Sequence, residues 1–122
     1  MSTPDKQLLV VVGAGPHNAT RARDALDLVL TSAAFEIGVG ILFRDDAVYQ
    51  LLPQQQADAI DAKSLAANLQ ALPLYDVEQL YAPRSALEAR GLDPDNLLLP
   101  VQLLDDNATA ALLHSYGQIL SF

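Results

Sequence analysis

Two hydrophobic rhythms alternate along the chain. Leu8-Leu-Val-Val-Val12 is short, β-branched and apolar on both faces, as a strand covered by helices on both sides must be. Ala22, Ala25, Leu26, Val29, Leu30 and Ala33 then recur at i, i+3, i+4 spacing. That spacing predicts a helix of about four turns, with Arg21, Arg23, Asp24, Asp27 and Thr31 on its outer face. Glu36 to Phe43 reads as a second strand, its stretch Ile37-Gly-Val-Gly-Ile-Leu-Phe43 being wholly apolar. A short helix comes next with Val48, Leu51 and Leu52 inward. It stops before Pro53, because a proline pushes the preceding residue out of the helical region. Gln54-Gln-Gln56 is a polar loop, too short for a domain linker.

Leu65, Leu69 and Leu72 mark another helix, ended by Pro73. Gln79-Leu-Tyr-Ala82 predicts a third strand, and Pro83 to about Arg90 a helix, with Pro83 in its first turn and Gly91 as its C-terminal cap. Leu97 to Leu104 contains a fourth strand that Pro100 interrupts, which points to a bulge or a sheet edge. A last helix runs from Asp106 or Asn107 to about Tyr116, and Gln118 to Phe122 closes the pattern as a strand. The order β-α-β-α-α-β-α-β-α-β predicts an α/β fold. Its architecture is a three-layer α/β/α sandwich with a mostly parallel sheet of about five strands. No internal repeat appears, and 122 residues form one domain, 1–122, able to bury a real core.

Composition then removes whole function classes. The net charge is −8, from 7 Lys+Arg against 15 Asp+Glu. Such a surface repels phosphate backbones, so direct nucleic-acid binding is not expected. No apolar run approaches the roughly 18 to 20 residues that span a bilayer. Met1-Ser-Thr-Pro-Asp-Lys-Gln7 is polar and passes straight into a strand, unlike a signal peptide, so the expected compartment is the cytoplasm. The chain has 0 cysteines, hence no disulfide framework, no thiol nucleophile and no cysteine-based metal site. No cofactor or metal is expected.

Several residues invite a chemical reading beside a structural one. Gly13-Ala-Gly15 leaves the first strand as a dinucleotide loop would, but position 18 is Asn where the fingerprint needs Gly, and Pro16 removes an N–H. A tight structural turn is the simpler reading. His17 beside it could meet a ligand, or could cap a helix or face water. Asp45-Asp46 leaves the end of a buried strand, where α/β folds place working residues. One aspartate capping a helix and the other meeting its positive end explains the pair without chemistry. In Leu74-Tyr-Asp-Val-Glu-Gln-Leu-Tyr81 the interleaved Tyr75 and Tyr81 fit either an interface or half-buried supports. His114 reads as solvent-facing on the last helix.

Taken together, segments spread along the chain carry a resemblance. They are Pro16-His17 with Arg23-Asp-Ala-Leu-Asp27, Phe43-Arg-Asp-Asp-Ala-Val-Tyr-Gln-Leu-Leu-Pro53, Leu74-Tyr-Asp-Val-Glu-Gln79 and Leu87-Glu-Ala-Arg-Gly-Leu92. They resemble the DsrE/DsrF/DsrH-like family of sulfur-relay proteins, in its DsrF-like, TusC-type branch, over nearly the whole chain. The acidic block ending in Gln-Leu-Leu-Pro is its most specific piece. The resemblance implies a cytoplasmic subunit of a heterohexamer with TusB/DsrH-like and TusD/DsrE-like sister subunits, communicating indirectly with other sulfur carriers. Such a complex passes persulfide sulfur toward 2-thiolation of the tRNA wobble uridine. The sulfur-carrying cysteine of the family belongs to the TusD/DsrE-like sister, in a loop after a strand and before a helix ending in Arg-Gly. The matching position here is Pro83, ahead of Arg84-Ser-Ala-Leu-Glu-Ala-Arg-Gly91.

Persulfide transfer needs a thiolate as nucleophile and carrier, and this chain has none. It therefore reads as a non-catalytic subunit built around another chain's cysteine. On that reading His17, Asp45, Asp46, Tyr49, Tyr75 and Tyr81 are candidates to face a partner or ligand. Two alternatives stand beside it. One is a DsrF-like subunit in dissimilatory sulfur oxidation. The other is a small-ligand-binding or hydrolytic α/β domain using Gly13, Gly15, His17, Asp45 and Asp46.

Overall fold

All five residues of β1 (Leu8–Val12) are buried, and they divide between two layers. In the computed structural model, which describes residues 6–13, 19–52 and 67–122, Leu8, Val10 and Val12 join one core and Leu9 and Val11 the other. Side chains alternate across a strand, so an unbroken apolar run needs cover on both faces. α1 (Ala19–Ala34) supplies the first cover, burying Ala22, Ala25, Leu26 and Val29 in one core with Ile41 and Phe43. The other strands are β2 (Val39–Phe43), β3 (Gln79–Pro83), β4 (Gln102–Leu104) and β5 (Gln118–Ser121). They order as β4-β3-β2-β1-β5, and every pairing is parallel. The expected five-stranded α/β architecture is the observed one.

The two helical layers are unequal. On α1's face lie two 3-10 turns, Asp45–Leu51 and Leu72–Tyr75, and α2 (Arg84–Ala89). On the other face α3 (Asp106–Ser115) stands against the sheet, with Leu112 and the adjoining Tyr116 over Leu9, Val11, Leu42, Tyr81 and Leu104. Connection handedness explains the division. From β1 to β4 the chain steps outward in one direction, whereas β4 to β5 returns across the sheet. Right-handed crossovers place those two kinds of connection on opposite faces.

Segment ends depart from the sequence expectation in informative ways. α1 closes with Glu36 in the left-handed region (φ 61), its N–H on Ala33 O at 2.9 Å and the Ile37 N–H on Ser32 O at 3.0 Å. Asp76 (φ 61) and Gly91 (φ 65) close their own turns by the same pair of bonds. This C-terminal motif favours glycine, and placing a residue with a Cβ there costs roughly 1–2 kcal/mol. Because the cap uses Phe35 to Ile37, β2 starts at Val39 and not at Glu36. The element after β2 is a 3-10 turn, not an α-helix. Leu52 leaves it in an extended conformation, as the residue before proline should.

Residues 67–70 are helical with Leu69 buried, while Leu65 lies outside the described residues. Pro73 does not end that helix; it sits in the first turn of the next 3-10 segment. Pro83 belongs to β3, paired with Leu104, and α2 begins just after it. β4 is confined to three residues beyond Pro100 and forms a sheet edge. The Asp105 carboxylate caps α3, accepting the Ala108 N–H at 2.7 Å. Beneath α3, the Tyr81 hydroxyl donates to Gln79 Oε1 at 2.8 Å and lies 3.3 Å from the Tyr116 hydroxyl. Tyr81 is 4% exposed and packs as a core residue beneath α3, at the floor of a recess that Lys6 and Gln102 also line.

Candidate functional site at the C-terminal edge of the sheet

Where β2 and β3 end and α2 and α3 begin, the surface opens into a recess of about 440 Å³. β2 continues its pairing one residue further, the Arg44 N–H donating to Val12 O at 2.9 Å. Asp45 then adopts a left-handed conformation (φ 51), which turns the chain off the sheet into its 3-10 segment. Its carboxylate lies 3.7 Å from Arg44 Nε, both side chains largely in solvent. Neither aspartate caps the turn, which has no side-chain cap hydrogen bond. The expected cap is therefore absent, although both acids occupy the first turn, where the N-terminal dipole favours them.

Asp46 is instead tied to the end of α2. Arg90 donates from Nε at 3.2 Å and Nη2 at 3.1 Å to Asp46 Oδ1, and from Nη1 to Ala86 O at 3.1 Å. Its guanidinium also sits 5.9 Å from the Tyr49 ring centroid, within reach of the ring's negative face. One arginine thus fastens α2 to the turn after β2. Pro83 is half-buried at the junction of β3 and α2 and lines the recess. Ser85 and Thr109 bring hydroxyls to it, and Thr109 Oγ1 donates to Asp105 O at 2.9 Å.

The lining offers two guanidinium groups, carboxylates and hydroxyls, but no thiol, since the chain has no cysteine. Among the described residues no group of three or more His, Cys, Asp or Glu side chains could hold a metal ion. Nor is any helix among them long and apolar enough to cross a membrane. The wall of the recess thus presents charged and hydroxyl groups suited to a polar group.

The sequence candidates separate. Asp45, Asp46, Tyr49 and Pro83 gather at this edge. Gly13 adjoins it, its N–H donating to Phe122 O at 3.0 Å, while Gly15 and His17 lie outside the described residues. Tyr75 stands at the opposite end of the sheet, 47% exposed. His114 is exposed in the last turn of α3. Hydrophobic patterning does not single out Arg44, Ser85, Arg90 and Thr109 as site residues. For Arg44 and Ser85 a signal exists, because each lies one or two positions past the end of a buried strand, where α/β folds build their sites.

Comparison with known proteins agrees with this architecture. The model of the DsrE/DsrF-like family matches residues 6–122. A "Protein TusC homolog" of Pseudomonas aeruginosa is 41% identical over 116 residues, covering 95% of this chain and 98% of that protein. "Protein TusC" of Klebsiella pneumoniae is 34% identical over 118 residues, covering 96% and 99%. In structure the chain is similar to the ychN protein of E. coli, with a TM-score of 0.79 at 18% identity over 96% of this chain and 99% of that one. A buried parallel sheet, an acidic turn after its second strand and sequence similarity along almost its full length lead to one assignment: the chain belongs to the DsrE/DsrF-like family, in its TusC branch.

Proposed function

We propose that this protein is a non-catalytic subunit of a cytoplasmic sulfur-relay complex. In that complex, persulfide sulfur moves toward 2-thiolation of the tRNA wobble uridine, and the sulfur-carrying cysteine belongs to a sister subunit. The observation that carries this reading is Pro83. It stands between the end of a buried strand and the start of a helix, facing a recess. That junction matches the site of the sister's cysteine in the family resemblance. Helix starts and adjacent arginines lower a thiol's pKa and make it reactive. Proline offers neither a thiol nor a backbone N–H, and no cysteine elsewhere in the chain replaces it. Membership of the TusC branch supports the same role, with TusB/DsrH-like and TusD/DsrE-like chains as the other subunits of a heterohexamer.

Co-expression with those two chains tests the reading. The expected result is a stable complex containing all three. Deleting this chain should abolish wobble-base 2-thiouridine, measured by mass spectrometry of digested tRNA, and a plasmid copy should restore it. Unchanged thiolation in the deletion strain overturns the tRNA role. A monomer without affinity for either sister overturns the subunit role itself.

A further inference from the structure

At the N-terminal end of the sheet, opposite the Pro83 recess, large apolar side chains stand in solvent. Phe35 is 76% exposed, Leu74 84%, Tyr75 47% and Ile37 37%. Phe35 and Ile37 belong to the turn from α1 to β2, and Leu74 and Tyr75 to the 3-10 turn that leads to β3. Ile37 and Tyr75 line one open hollow of about 500 Å³ between these turns. Large apolar groups exposed together mark contact surfaces, and aromatic residues are enriched there.

Charge narrows what could cover this surface. The ionisable groups lining the hollow are Glu36, Asp76 and Glu78, together with the Tyr75 phenol, and among the described residues no cation lines it. Lys6, at the same end of the sheet, lines the recess beneath α3 instead. Glu36 and Asp76 occupy left-handed caps that glycine would fill without strain, as Gly91 does at the third such cap, away from the hollow. Two acids are thus held on the rim at a conformational cost.

We propose that this end of the sheet is a docking surface for a sister chain that presents an apolar protrusion flanked by lysine or arginine. The proposal rests on the reading of this protein as a subunit, and it leaves the recess at Pro83 open. A second copy would bring the same acids face to face, since a two-fold contact apposes like patches. Like charges across an interface disfavour association, whereas a basic-flanked partner is attracted.

The test uses the full chain co-expressed with its two sisters. Affinity is measured by titration, and mass by light scattering on size-exclusion chromatography. Leu74→Asp and Glu78→Lys, both at exposed positions, should each weaken assembly by about tenfold or more, the scale of losing one interface anchor. Thermal unfolding of the isolated variants should match the parent. If the parent assembles and both variants assemble equally well, the docking surface is overturned and the subunit reading stands. If Leu74→Asp alone weakens assembly, the basic-flanked partner is overturned. If the isolated chain forms a dimer that Leu74→Asp dissolves, the occupant is a second copy and the proposal fails. If the parent binds neither sister, the subunit reading falls and this proposal with it.

Discussion

Gly40 lies where β2 passes under Tyr116, and a Cβ there would run into the tyrosine hydroxyl and stand 3.1 Å from the Gln79 carbonyl oxygen. Gly40→Ala should therefore destabilise the protein by about 1–3 kcal/mol, the usual cost of overpacking, read as a lower urea midpoint at unchanged slope. Glu36→Gly should act in the opposite sense. Relief of the left-handed cap (φ 61) should raise stability by about 1 kcal/mol, seen as a higher melting temperature. The Arg90–Asp46 pair sits between these cases. With the two side chains 22% and 53% exposed, a double-mutant cycle should give a coupling of only about 0.2–1 kcal/mol, shrinking in high salt. Arg90→Ala should cost more than Asp46→Ala, because it also removes the contact with Tyr49 and the bond to Ala86 O.

α3 is the element whose loss the sheet would feel most on its second face, where Leu112 and Tyr116 complete the cover. Asp105 holds its start, so Asp105→Ala should cost about 0.5–2 kcal/mol, with weaker hydrogen-exchange protection in the first turn of α3 than elsewhere. Among the elements, the centres of β1 and β2 are legible in the sequence, because a short β-branched or aromatic apolar run between helical patterns fits a strand covered on both faces. Their ends are less so. Glycine at position 91 announces its cap, but Glu36 and Asp76 perform the same closure without the residue that signals it. Asp45-Asp46 suggests a helix cap, since such pairs usually bond locally. The partner of Asp46 is 44 residues away, and no local pattern contains that contact. Tyr75 and Tyr81 look alike in sequence. One falls in a turn and the other on a strand face beneath α3, a distinction that only the register of β3 decides.

For the whole molecule, the proposed roles divide between the two ends of one sheet. The C-terminal edge carries the recess with Pro83, and the N-terminal edge the exposed apolar side chains. Disabling one should leave the other's geometry intact. Its strand order has a further consequence, for the way the molecule is made. β5 is exposed along its length, yet it completes one hydrogen-bonding side of β1, with Leu8 registered against Gln118 and the Phe122 N–H on Val11 O at 2.8 Å. Nearly the entire sequence separates those partners. A growing polypeptide can pair β1 through β4 early, but β1 keeps a bare edge until the last strand has left the ribosome. Such an edge is a template for adding strands from other molecules. A chain cut before Gln118 should therefore fold most of its sheet and still precipitate, losing soluble yield far beyond what the few apolar contacts of β5 would suggest. The strand that buries least exchanges the apolar edge of β1 for a short, solvent-facing edge of its own.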